Sequence, residues 1–189
     1  MKNAFALIGI LLFATAFGAT RTEAIREKLM SGDRSYVFVA MHRGDWRNFP
    51  ENSKGAILSS IRLGADIVEL DVPIAHIGHG KKGYLAFSES VIPGYLNMEP
   101  RRASMYEMCF NDPTYVRKSL DALKSAPGAP RIWVNTLWDS LSANHSDFAA
   151  LTDPDANWGW WLERGVTMIQ SDYAAEMIVY LIQKGRRNL

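Results

Sequence analysis

Cysteine is all but missing from this 189-residue chain, with Cys109 the single example. One thiol closes no intramolecular disulfide, so a cystine-stapled framework is excluded. An excess of one charge is missing too: 21 basic residues face 20 acidic ones, for a net charge of +1. Gripping nucleic acid takes a concentrated basic surface, so no nucleic-acid partner is expected. The short basic end at Lys184, Arg186 and Arg187 does not supply one. Low-complexity tracts and interdomain linkers are absent. Beyond residue 19 no apolar run approaches the ~20 residues that a spanning helix needs. What is present is 48% hydrophobic and 11% aromatic residues, the composition of a folded domain of moderate size.

The first residues carry a targeting pattern. Lys2 precedes an apolar run over residues 4–19 that ends in the small residues Ala16, Gly18 and Ala19. A charged start, a short apolar stretch and small residues at its end read as a secretory signal. The competing reading is an uncleaved anchor, for which the run is short. The expectation is a signal peptide over 1–20 and one domain over 21–189. That domain would be exported, periplasmic or extracellular, with no membrane span after the signal is removed.

Hydrophobic patterning predicts an α/β fold. Residues 36–41 (YVFVAM) form a continuous apolar, β-favouring run, as in a strand buried on both faces of a parallel sheet. A helix over 53–63 closes at Gly64, and a second strand covers 67–72 (IVELDV). Strand, helix, strand at this spacing is a βαβ crossover. The rhythm returns as strands at 105–110, 131–136 and 166–171, with helices at 115–124, 158–164 and 174–184. A charged helix is expected at 21–34, ending at the Ser31-Gly32-Asp33 breaker. Residues 73–102, rich in glycine, show no clear period beyond a candidate strand near 84–91.

Polar residues gather where the strands end, which is where parallel sheets collect ligands. His42 and Arg43 close the first strand; Glu69 and Asp71 end the second, two apart and so on one face of a strand. Paired carboxylates on an inward face call for a cation, and oxygen ligands suit Ca²⁺ or Mg²⁺. A histidine for proton transfer, an arginine for phosphate and carboxylates for a metal make a phosphoryl-transfer set. Structural ion pairs of Glu69 and Asp71 with Arg43 or Arg47 are the plainer alternative.

The ordered stretches HRG (42–44), PENS (50–53) and GADIVELDV (64–72) resemble the opening of the glycerophosphodiester phosphodiesterases. RIWVNTLW (131–138), Trp158-Gly159-Trp160 and GVTMIQSD (165–172) are similar to the closing units of exported bacterial members. The resemblance implies a (β/α)₈ TIM-barrel-like parallel sheet of the phospholipase-C-like phosphodiesterase type, here shortened or incomplete. It implies a phosphoric diester hydrolase of lipid metabolism that cleaves a small-molecule glycerophosphodiester to glycerol 3-phosphate and an alcohol. By position, His42 is then the acid/base, Arg43 holds phosphate, and Glu69 and Asp71 bind the divalent metal.

The chain departs from that family's pattern as well. Residues 80–87 (GKKGYLAF) lack the His-Asp pair that brings a second histidine, and a third metal carboxylate has no visible counterpart. About 170 residues remain after the signal, against ~250 for a typical barrel. The expectation is therefore that central βα units are missing between residues 72 and 105. The alternative function is a catalytically impaired relative that binds phosphate and metal with half a site, and an open barrel invites self-association.

Second proton donors are sought at His79 and His145, with His76 close to the first, although His76 and His79, amid glycines and lysines, read in the first place as solvated loop residues. Asn135 and Trp138 are expected to contact substrate. Glu107 reads equally as a replacement ligand or as a partner for a backbone amide. Asp172 reads as the N-cap of the final helix, in preference to orienting a site residue, and Cys109 as a core residue.

Overall fold

The computed structural model describes residues 20–71, 105–128 and 130–188. The first nineteen residues, the candidate strand near 84–91, His76, His79 and nearly all of the interval assigned to missing units lie outside them. The chain divides into two compact units, residues 1–33 with Leu189 and residues 34–188. In the first, α1 (Arg21–Met30) opens with a capping box: the Thr20 hydroxyl accepts from the Glu23 amide, and Glu23 accepts from the Thr20 amide at 2.7 Å. It ends with Ser31 as C-cap, at the Ser31-Gly32-Asp33 breaker where the sequence places its end, and buries none of its residues.

The second unit is a parallel sheet with helical crossovers. In chain order it runs β1 (Phe38–Met41), α2 (Lys54–Leu63), β2 (Ile67–Val68), β3 (Met105–Met108), α3 (Val116–Lys124), β4 (Arg131–Asn135), α4 (Asp147–Ala150), α5 (Trp160–Glu163), β5 (Met168–Ser171) and α6 (Ala174–Gln183). The five strands lie in the order β2-β1-β5-β4-β3, every neighbouring pair parallel. This is the α/β parallel sheet expected from the sequence, and it is consistent with part of a (β/α)₈ barrel. No described helix is long and apolar enough to cross a membrane.

Local chemistry sets the element ends. Ser53 caps α2 by accepting from the Ala56 amide, and Gly64 closes it at φ 94°, a left-handed conformation that glycine adopts freely. The expected helix at 158–164 is instead a π turn over Asp155–Gly159 followed by the short α5. The expected strand at 67–72 is cut to Ile67–Val68. Glu69 still donates to Met41 O, but the Asp71 amide turns away to Asn52 Oδ1 at 2.9 Å.

The two faces of the sheet differ. Val37, Val39, Ile132, Val134 and Ile169 pack against Leu120, Leu123, Trp161, Met177 and Leu181 of the helical layer. Each fully buried side chain of this kind contributes roughly 1.5–3 kcal/mol. The alternate positions Phe38, Ala40, Glu107, Trp133, Asn135, Met168 and Gln170 line the other face, as the register and period of two require. This inner face is the more polar one, and it leads up to the strand ends.

At the opposite end of the sheet a buried ion pair closes the unit. Arg187 reaches both oxygens of Asp66 and the carbonyl of Gly64. Asp66 also accepts from Tyr36 Oη and from the Val39 amide, each at 2.9 Å. Hydrogen bonds on every side compensate the burial of these charges.

Candidate active site

His42 and Asp172 each follow the last residue of a strand, and the register pairs those residues, Met41 with Ser171. The two side chains therefore meet: His42 Nδ1 is 3.0 Å from Asp172 Oδ1. The indole N–H of Trp46 donates to the same oxygen at 2.6 Å. Asp172 does not cap the last helix, whose N-cap is Tyr173 with no side-chain hydrogen bond. The sequence reading of Asp172 is corrected accordingly: its carboxylate faces inward to the histidine. A carboxylate at Nδ1 selects the tautomer that leaves Nε2 free for proton transfer. Trp138, 54% exposed, sets its ring edge-on to the imidazole at 6.1 Å between centroids.

Asp147 supports this dyad from below. It is buried, and it accepts from Thr136 Oγ1 at 2.7 Å, Trp158 Nε1 at 2.8 Å and the Asp172 amide at 2.8 Å. Burial pushes its carboxyl up to about 6, against the pull of those hydrogen bonds.

The motif residues of the first βαβ unit converge on Arg43. Its Nη1 donates to Glu51 at 2.8 Å, its Nε lies 2.8 Å from Asp71 Oδ2, and its amide donates to Glu69 Oε2 at 3.2 Å. Asn52 bridges the ends of the arrangement, donating to Arg43 O and accepting from Asp71 N. Of the sequence alternatives for Asp71, the ion pair with Arg43 is the one formed here. Because Asp71 lies beyond β2, it does not share a strand face with Glu69.

Arg43 and Gly44 take left-handed conformations in succession, φ 51° and 75°. A Cβ on Gly44 would lie 2.8 Å from Ala56 Cβ and 2.9 Å from the Ala56 carbonyl carbon. Gly44→Ala is therefore expected to cost roughly 2 kcal/mol or more, through overpacking and αL strain together. A thermal melt of the variant, several degrees below the parent, checks this.

Glu107 on β3 joins the site from the opposite edge of the sheet. Burial raises its carboxyl above the ordinary range and the Glu69 carboxylate adds to the rise, while Asn135 Nδ2, at 3.5 Å, and His42 oppose it. Asn135, expected at the substrate, holds Glu107 and accepts from the Leu137 amide at 3.2 Å.

A cleft of about 340 Å³ opens over the dyad, lined among others by His42, Arg43, Trp46, Arg47, Trp138 and Phe148. His145 is not among its lining residues: its ring stacks on Trp160 at 3.8 Å and its Nδ1 meets Ala156 O at 2.9 Å. Burial lowers its tendency to hold a proton. The other second donor considered, His79, falls outside the described residues. Cys109 is buried, and burial drives its thiol up to about 12, as suits a core residue. Trp46, Arg47, Tyr173 and Phe148 were not foreseen as site residues. One signal for Asp172 existed, its place one residue past an apolar strand, as with His42.

A stretch of 43 residues is 49% identical to a protein named glycerophosphodiester phosphodiesterase from Caldanaerobacter subterraneus subsp. tengcongensis. The match covers 23% of this chain and spans 18% of that protein's length, and it supports a relationship to such enzymes over that part. Residues 87–181 match the family model DUF4996, described as a domain of unknown function. That interval takes in Glu107, Asn135, Asp147 and Asp172, whereas His42 and Arg43 precede it. On this match across half of its length, the chain belongs to the DUF4996 family.

Proposed function

We propose that the cleft hydrolyses phosphodiesters, specifically glycerophosphodiesters, to glycerol 3-phosphate and an alcohol. The observation that carries this reading is the His42–Asp172 pair, 3.0 Å apart at the mouth of a cleft that two arginines also line. Asp172 holds the Nδ1 proton, and His42 Nε2 takes the proton of an attacking glycerol hydroxyl. The new P–O bond closes a cyclic glycerol phosphate as the bond to the alcohol breaks and the leaving oxygen takes a proton from a second donor; water then attacks the phosphorus and breaks that new P–O bond, leaving glycerol 3-phosphate. For that donor the sequence offers His76 and His79.

Glu69 and Glu107 supply hard oxygen donors of the kind a divalent cation takes. Asp71, the other expected ligand, is drawn to Arg43, and among the described residues no cluster of three metal-ligating side chains forms. Ca²⁺ or Mg²⁺ held by Glu69 and Glu107 would offset charge on the phosphoryl oxygens. Glu107→Gln is expected to weaken Ca²⁺ or Mg²⁺ binding about tenfold or more, read by isothermal titration calorimetry.

A second reading, a phosphate- and metal-binding relative without turnover, is favoured by the pairing of Arg43 with Glu51 and Asp71. Release of glycerol 3-phosphate from glycerophosphocholine and glycerophosphoethanolamine with added Ca²⁺ or Mg²⁺ decides between them. Turnover supports the hydrolase; folded, metal-binding protein without turnover supports the binding relative. Export of the domain is part of the same proposal, tested by locating the protein in cell fractions.

A further inference from the structure

Arg43 is the arginine that the motif assigns to phosphate, yet its Nε and Nη1 already face Asp71 and Glu51. Two carboxylates on one guanidinium leave that corner of the cleft with no surplus positive charge. Arg47 lines the same cleft and is placed quite differently. Its guanidinium carbon lies 4.0 Å from the centre of the Tyr173 ring. Its nearest carboxylate is Glu176, at 3.6 Å, in a pair whose side chains are 39% and 46% exposed. That pair is solvent-screened and beyond hydrogen-bond distance, whereas Arg43, though its pairs are as exposed, donates to Glu51 at 2.8 Å. Among the described residues Arg47 makes no hydrogen bond at all.

The stacking matters because it orients the group without using its donors. A cation–π contact occupies the face of the guanidinium, leaving the N–H edge open for a bidentate acceptor. The placement is built into the dyad itself. Trp46 donates to Asp172, and the next residue on each segment repeats the meeting, Arg47 on Tyr173. The same two segments that set the histidine's partner therefore present beside it a preorganised guanidinium, stacked on one face and only loosely paired with Glu176.

We infer that Arg47 is the anion-binding residue of the cleft, receiving a phosphoryl oxyanion on its guanidinium edge, while Arg43 is a positioning residue that holds Glu51 and Asp71. The assignment of the oxyanion to a diester substrate rests on the function proposed above; the binding of phosphate itself does not.

The test is calorimetric titration of inorganic phosphate into the full chain, with Arg47→Gln and Arg47→Lys, and with a thermal melt of each. The expected result is a phosphate Kd at least tenfold weaker in Arg47→Gln, a partial loss in Arg47→Lys, and unchanged melting temperatures. An unchanged Kd in Arg47→Gln, or a parent protein that binds no phosphate at millimolar concentration, overturns the inference. In turnover assays Arg47→Gln is expected to raise KM for glycerophosphocholine and glycerophosphoserine alike. An effect confined to glycerophosphoserine moves the contact to that substrate's own carboxylate and overturns the placement on phosphoryl oxygen. Arg47-dependent phosphate binding without any turnover would uphold the inference while the hydrolase reading falls.

Discussion

On the function proposed above, His42→Ala is expected to lower glycerol 3-phosphate release about 10³-fold or more in kcat, with KM changed little, because the proton carrier is lost while the binding groups remain. Asp172→Asn is expected to cost roughly 10²–10⁴ in kcat through a different route. The amide presents either a donor or a weaker acceptor to Nδ1, so the imidazole loses the partner that fixes its tautomer and offsets its charge in the transition state. The indole of Trp46, which shares the carboxylate oxygen at 2.6 Å, loses its acceptor where the amide nitrogen takes that place and keeps a weaker one where the amide oxygen does. Combining the two substitutions should cost little more than His42→Ala alone, since both remove one unit. Steady-state kinetics of both single variants and the double variant checks this. Asp172→Asn at full activity would return that residue to a merely structural role.

Asp147→Ala is expected to have the largest effect on stability. Removing the carboxylate leaves the Trp158 indole N–H and the Asp172 amide without their acceptor in a site where Asp147 is 1% exposed, while the Thr136 hydroxyl keeps only the Gln170 carbonyl. Unsatisfied buried donors of this kind cost roughly 3–5 kcal/mol together. In a domain of this size that lowers the melting temperature by roughly 10 °C or more.

Asp147 also gives stability a pH dependence of definite sign. Its carboxyl stands near 3.8 when free and rises to about 6 in the fold. Between those values the folded chain binds the proton more tightly than the unfolded chain, so this contribution to stability declines as pH rises through that window and is flat above it. Asp147→Asn should flatten that segment of the parent's stability–pH curve, as read by denaturant unfolding at pH 4, 5 and 6.

The first βαβ unit was legible because its signals are local. Ser53 and Gly64 bracket α2 as caps do, and the apolar run before His42 is long enough to mark a buried strand. The length of β2 was not legible, because Asn52 takes the Asp71 amide and Arg43 takes its carboxylate, contacts that a period of two does not contain. Asp172 was misread for a related reason: a short polar residue ahead of a helix has the pattern of a cap, and only the adjacency of β1 and β5 turns it toward His42. That pairing joins residues 130 apart in sequence and leaves no periodic trace.

The strand order has a consequence for synthesis. β1 emerges early, yet one of its partners in the sheet is β5, the last strand to be made, with Phe38 opposite Met168. Until that stretch has left the ribosome, β1 presents an unpaired edge, and the Asp66–Arg187 clamp cannot close. Contacts so distant in sequence slow folding and lengthen the time an apolar strand stays exposed. Nascent chains halted between β2 and β5 should accordingly be the ones that chaperones retain and proteases cut, whereas protection comes once β5 and Arg187 have both emerged.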